Sequence, residues 1–125
     1  MARPTILTVD DHPLNRELVV EILEPVGYTV LQAEGGVGLI ERVKREQPAL
    51  ILLDLKLPGP DGFTLARQLK ADAATRAIPV VALTADLLPH KEAWALEAGC
   101  DGYLRKPLDR EELIQLVARF LGGEE

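Results

Sequence analysis

The chain contains no serine, which removes every mechanism built on a serine nucleophile. A single cysteine, Cys100, excludes an internal disulfide and any Cys-x-x-Cys metal knuckle. The only two histidines, His12 and His90, lie far apart in the sequence and disfavour a His-based zinc site. No apolar run approaches the roughly 20 residues of a membrane span. The opening MARPTILTVDD has no signal-peptide core and runs straight into a strand-like stretch, so the expected location is a reducing cytoplasm, with no membrane partner. Basic residues are outnumbered, 14 against 20 acidic, and the net charge of −6 argues against a direct nucleic-acid binder held by phosphate contacts.

What is present reads as one globular domain. The length of 125 residues fits a single unit, and 47% hydrophobic residues is too many for a disordered chain. Short apolar runs alternate with helical periodicity. Ile6–Val9 reads as a strand ending in Asp10-Asp11. Leu14–Val26 follows, with Leu18, Val19, Ile22, Leu23 and Val26 at helical spacing. Tyr28–Ala33 is a second strand. Val37–Glu46 is a second helix that turns Val37, Ile40 and Val43 inward. The unbroken Leu50-Ile51-Leu52-Leu53 is the pattern of a strand buried on both faces, and it ends in Asp54. After the breaker Pro58-Gly59-Pro60-Asp61-Gly62 come a helix over Phe63–Lys70, a strand over Ile78–Leu83 ending at Thr84, and a helix over Pro89–Ala98. A strand over Gly102–Arg105 then ends at Lys106-Pro107. A final helix is capped by Asp109 and closed by Gly122-Gly123. Five such β-α units with short connections predict an α/β fold, a parallel sheet covered on both faces. The domain core is expected over residues 5–121, with no room for an output domain.

In open α/β sheets, ligands bind beyond the carboxyl ends of the strands, so the residues that end each strand carry the chemistry. Here they are Asp10-Asp11, Asp54, Thr84 and Lys106. Three carboxylates repel one another at neutral pH, and Lys106 alone does not offset them. A hard divalent ion, magnesium or manganese, is the natural complement. A carboxylate held beside such an ion can serve as a nucleophile and become an aspartyl phosphate. Taken singly, the same residues have plainer readings. An Asp-Asp pair before a helix caps it, Thr84 is a β-branched strand residue, and Lys106 is a solvated end charge.

Taken together and in order, they closely resemble a two-component response-regulator receiver domain over Ile6 to Leu121. The resemblance rests on Asp10-Asp11, the D-x-x-x-P-x-x-D-G stretch from Asp54 to Gly62, Thr84-Ala85, Gly99-Cys100-Asp101 and Lys106-Pro107. It implies a flavodoxin-like, doubly wound (βα)5 sheet of strand order 2-1-3-4-5. It implies Asp54 as phosphoacceptor, with Asp11, Asp10, Asp54 and the Lys56 main-chain carbonyl around Mg2+ or Mn2+. Lys106 would pair with the phosphoryl group, and Thr84 and Tyr103 would move in response. The Lys106–Pro107 bond would be cis. The phosphoryl donor would be a histidine kinase or phosphotransfer protein. An unidentified downstream protein would bind the face of helix four, strand five and helix five, where Trp94 and Tyr103 are candidate contacts. The chain would be a monomer or a weak, phosphorylation-dependent dimer.

Lys56 and Asp86 lie two residues beyond Asp54 and Thr84. Their opposite charges could pair across the mouth of the site and tune the phosphoryl lifetime. Cys100 reads as a buried packing residue. Trp94 shares a helix face with His90 and Glu97 and is either partly exposed or folded onto a neighbour. Other readings of the chain are a receiver excised from a hybrid kinase or larger regulator, a phosphorylation-independent docking module, and a small-molecule phosphatase. The last is disfavoured, because Asp54 is followed by Leu55-Lys56 and not by x-Asp.

Overall fold

The structure is a computed structural model that describes residues 3–57, 61–85 and 89–122, the last without the side chains of 89–92. Its strands are β1 (Thr5–Val9), β2 (Thr29–Ala33), β3 (Leu50–Asp54), β4 (Val80–Thr84) and β5 (Gly102–Arg105). Its helices are α1 (Pro13–Leu23), α2 (Leu39–Glu46), α3 (Gly62–Ala71), α4 (Pro89–Glu97) and α5 (Arg110–Leu121). The strands form one parallel sheet in the order β2-β1-β3-β4-β5. Among the described residues, no helix is long and apolar enough to cross a membrane.

Alternation along β3 explains the layering. Leu50 and Leu52 pack with Val19, Ile22, Leu113 and Val117 on the side of α1 and α5. Ile51 and Leu53 pack with Leu39, Val43, Leu65, Leu69 and Ala95 on the side of α2, α3 and α4. Each successive side chain therefore enters a different core, and an uninterrupted apolar run is the result. The chain leaves β1 toward β2 on one side and later takes up β3 on the other. This opens a crevice at the carboxyl ends of β1 and β3.

Several element bounds differ from the sequence reading, each for a local reason. α1 stops at Leu23, because Pro25 has no N–H to donate and Glu24–Val26 tightens into a 3-10 turn. Val26 is therefore off the inward stripe and 42% exposed, and Leu18 is 36% exposed. α2 begins at Leu39 after Gly38 takes a left-handed φ of 72°, so Val37 is not an inward residue but is 90% exposed. The cap of α1 is His12 followed by Pro13, not Asp10 or Asp11. Asp109 does cap α5, accepting from the Glu112 N–H at 2.9 Å, and Gly122 closes that helix at φ 67°. Pro58-Gly59-Pro60, Asp86, the His90 side chain and Gly123 lie outside the described residues.

Candidate phosphoacceptor and metal site

β1 and β3 deliver two carboxylates into the crevice almost without solvent contact. Asp10 is 1% exposed and Asp54 is 4% exposed. Asp10 Oδ1 accepts from the His12 N–H at 2.9 Å, and Asp54 Oδ1 accepts from the Lys56 N–H at 3.0 Å. The second oxygen of each accepts from one ammonium. Lys106 Nζ donates to Asp10 Oδ2 at 2.8 Å and to Asp54 Oδ2 at 3.1 Å. Lys106 reaches that point because its own N–H donates to the Thr84 carbonyl at 2.8 Å, which extends the β4–β5 ladder past the strand end. The Lys106–Pro107 peptide bond is cis.

Asp11 is exposed and lines the same crevice. One oxygen from each of Asp10, Asp11 and Asp54 lies within 4.8 Å of the other two. The open cleft beside them, about 560 Å³, is walled by Asp11, Asp54, Lys56, Phe63, Thr84 and Lys106 among others. Thr84 ends β4 and is buried.

Burial dominates the electrostatics. It pushes the Asp54 carboxyl above the ordinary carboxylate range, against the lowering effects of the Lys56 N–H and of Lys106, and the Asp10 charge adds to the rise. Burial alone would lower the Lys106 ammonium. Its hydrogen bonds and charge contacts with Asp10 and Asp54 outweigh that and hold it above the usual lysine value. One ammonium shared by two buried carboxylates, with a third beside them, leaves the group electron-rich. All the donors it presents outward are oxygens. That set fits a hard divalent cation better than a soft one.

The remaining candidates fall at different distances from this centre. Lys56 is exposed at the cleft, and its intended partner Asp86 is outside the described residues. Tyr103 on β5 is half-buried against the core on the α2–α3–α4 side, and it does not line the cleft. Trp94 is 46% exposed and meets Phe63 of α3 edge-on, with ring centroids 6.3 Å apart. Cys100 is buried, and burial raises its thiol pKa to about 11.

Two contributors were not singled out from the sequence. Arg16 on α1 donates through Nη1 to the Asp10 carbonyl at 2.7 Å and through Nε to Gln32 Oε1 at 3.1 Å. It thereby pins the Asp10-Asp11 turn to α1 and β2 and brings a second cation near the acids. The charge deficit around the three carboxylates was the available signal for it. Phe63 reads in the sequence only as a helix start, and its place in the cleft wall follows from the position of α3 beside β3.

A family model described as the response regulator receiver domain matches residues 6–118. Protein PilH of Pseudomonas aeruginosa is 38% identical over 123 residues, covering 98% of this chain and 100% of that protein. Sensor protein GacS of Pseudomonas syringae pv. syringae is 37% identical over 122 residues, covering 95% of this chain but only 14% of that one. The crystal structure of the receiver domain of sensor histidine kinase PA1611 from Pseudomonas aeruginosa, with a magnesium ion coordinated in its active site cleft, superposes with a TM-score of 0.88 at 34% identity. It covers 98% of this chain and 100% of that one.

Proposed function

Because the chain belongs to the response regulator receiver domain family, and is thus a phosphoacceptor signalling protein, we propose that Asp54 is the residue it phosphorylates. The observation that carries this reading is the Lys106 ammonium shared between Asp10 and Asp54 at 2.8 and 3.1 Å, with the Asp11 carboxylate alongside. Asp54 is the member of the trio that closes the central strand, and its Oδ1 is already held by the Lys56 N–H.

Asp10, Asp11, Asp54 and the Lys56 carbonyl would hold Mg2+ or Mn2+, which supplies positive charge that offsets the phosphoryl oxygens. The donor is a phosphohistidine of a histidine kinase or phosphotransfer protein. An Asp54 carboxylate oxygen forms a bond to phosphorus as the P–N bond breaks. The electron pair leaves with the imidazole. Lys106, already 3.1 Å from Asp54 Oδ2, shifts its donation to a phosphoryl oxygen. The Thr84 hydroxyl, at the end of the adjacent strand, donates to another. That movement, with Tyr103, biases the surface of α4, β5 and α5 toward a partner-binding state. Residues 5–121 form the receiver core.

The test is phosphorylation by acetyl phosphate with Mg2+. The chain should gain one phosphoryl group, measured by intact mass, and lose the gain with chelator or with Asp54→Asn. Full labelling of Asp54→Asn would end the assignment.

A further inference from the structure

A ring contact ties the cleft to α4. Among the described residues, Phe63 supplies the one phenyl ring in the wall of the cleft. Its place is indexed to the phosphoacceptor strand by the residue before it. A Cβ on Gly62 would come within 2.5 Å of the Leu55 Cα and 2.6 Å of the Asp54 carbonyl oxygen, so α3 begins in direct backbone contact with β3. The Gly62 N–H donates to the Leu55 carbonyl at 3.1 Å, and Asp61 caps the helix by accepting from the Thr64 N–H at 2.8 Å. The backbone of Phe63 therefore has little play relative to Asp54. Its side chain packs partly against the core and also meets a different element, since Trp94 of α4 stands edge-on to it, the rings inclined at 75°. Among the described side chains of this helix, the buried one is the small Ala95, next to Trp94. The ring pair is thus a direct side-chain contact between α4 and α3.

We propose that Trp94 is a positioning residue for the phosphorylated state: it holds the Phe63 ring in the wall of the cleft and so restricts the approach of water to the acyl phosphate. This rests on Asp54 being the phosphoacceptor. In hydrolysis, a water oxygen forms a bond to phosphorus and the Asp54 Oδ–P bond breaks. The electron pair returns to the carboxylate, and the water proton leaves with inorganic phosphate and solvent. A phenyl ring offers no donor or acceptor that could hold that water, and it fills space the water would use. Without Trp94 the ring loses its edge-on neighbour on the α4 side and has more room to move. Because the contact joins two elements, whatever displaces α4 changes the lifetime, and the lifetime state changes α4 in return.

The experiment labels the whole chain with acetyl phosphate and Mg2+, removes the donor and follows loss of label. Trp94→Ala and Phe63→Ala should each shorten the lifetime by about 2- to 10-fold, the range expected for one aromatic pair. The double variant should be no faster than the faster single. Trp94→Phe should stay near wild type. Leu96→Ala, on the same helix and 52% exposed, serves as the control and should change nothing. Unchanged lifetimes in Trp94→Ala, effects that multiply in the double variant, or equal shortening in Leu96→Ala would each overturn the proposal. A wild-type chain that takes no label overturns the reading of Asp54 as well. A labelled wild type with unresponsive variants overturns the Trp94 role alone.

Discussion

At Asp54 burial and charge pull in opposite directions, and the balance has a measurable sign. Its carboxyl pKa is raised in the folded chain, with burial the leading cause. Ionised Asp54 therefore opposes folding. The stability tied to this group is fully present below the unfolded carboxylate pKa of about 3.9 and is lost as pH rises through the folded value. Asp54→Asn keeps an oxygen for the Lys56 N–H and removes the charge. In chelator at neutral pH it should melt higher than wild type, and the gap should close as pH falls toward 4. Each 1 kcal/mol gained would appear as roughly 3–5 °C in a domain of this size. A lower Tm for the variant at pH 7 would mean that Lys106 more than compensates the buried acids. The sequence made the three carboxylates and Lys106 legible, because each stands at a strand end. It did not make Arg16 legible. The charge deficit calls for a second cation, but Arg16 acts through a backbone carbonyl, and the pattern of side-chain types does not say which cation reaches it.

The elements were readable where periodicity is strong and unreadable where a single backbone angle decides. β3 and the inward stripe of α5 follow directly from the placement of Leu and Val. The start of α2 does not, because Gly38 takes a left-handed conformation and moves the first turn two residues past Val37. Helix α3 shows a different use of glycine, at Gly62. Helix propensity predicts that Gly62→Ala stabilises by up to about 1 kcal/mol. Contact predicts the reverse, since the added methyl would meet the Leu55 Cα and the Asp54 carbonyl oxygen, both backbone atoms that cannot swing aside. Overpacking of this kind costs about 1–3 kcal/mol. The close approach should win. Gly62→Ala should lower the urea midpoint by a corresponding amount and, by moving β3 against α3, slow phosphorylation by acetyl phosphate. An unchanged or raised midpoint would show that α3 has slack at its first turn.

Across the whole molecule, the strand order β2-β1-β3-β4-β5 gathers residues 10, 11, 54, 84 and 106 on one edge of the sheet. The order itself was legible only through resemblance to a known family, because alternating strands and helices specify a parallel sheet without saying which strand lies beside which. The consequence is a fold whose stability is coupled to whatever neutralises that edge. A divalent ion that binds the folded chain and not the unfolded one stabilises by RT ln(1 + [L]/Kd), about 2.7 kcal/mol at a hundred times Kd. In this domain that amounts to roughly 10 °C in Tm. The rise should continue logarithmically with Mg2+ and should not be reproduced by NaCl at equal ionic strength, because screening levels off while the stabilisation from a filled site keeps growing as ln[Mg2+]. Asp11 is the discriminating position. It is exposed, so Asp11→Asn leaves the buried Lys106 contacts with Asp10 and Asp54 in place. If the three acids act as one site, that substitution should raise the Mg2+ concentration needed for a given Tm gain by at least about tenfold. An equal Mg2+ response in wild type and Asp11→Asn would show that the ion stabilises the chain elsewhere, and that the crowded edge is neutralised by Lys106 and Arg16 alone.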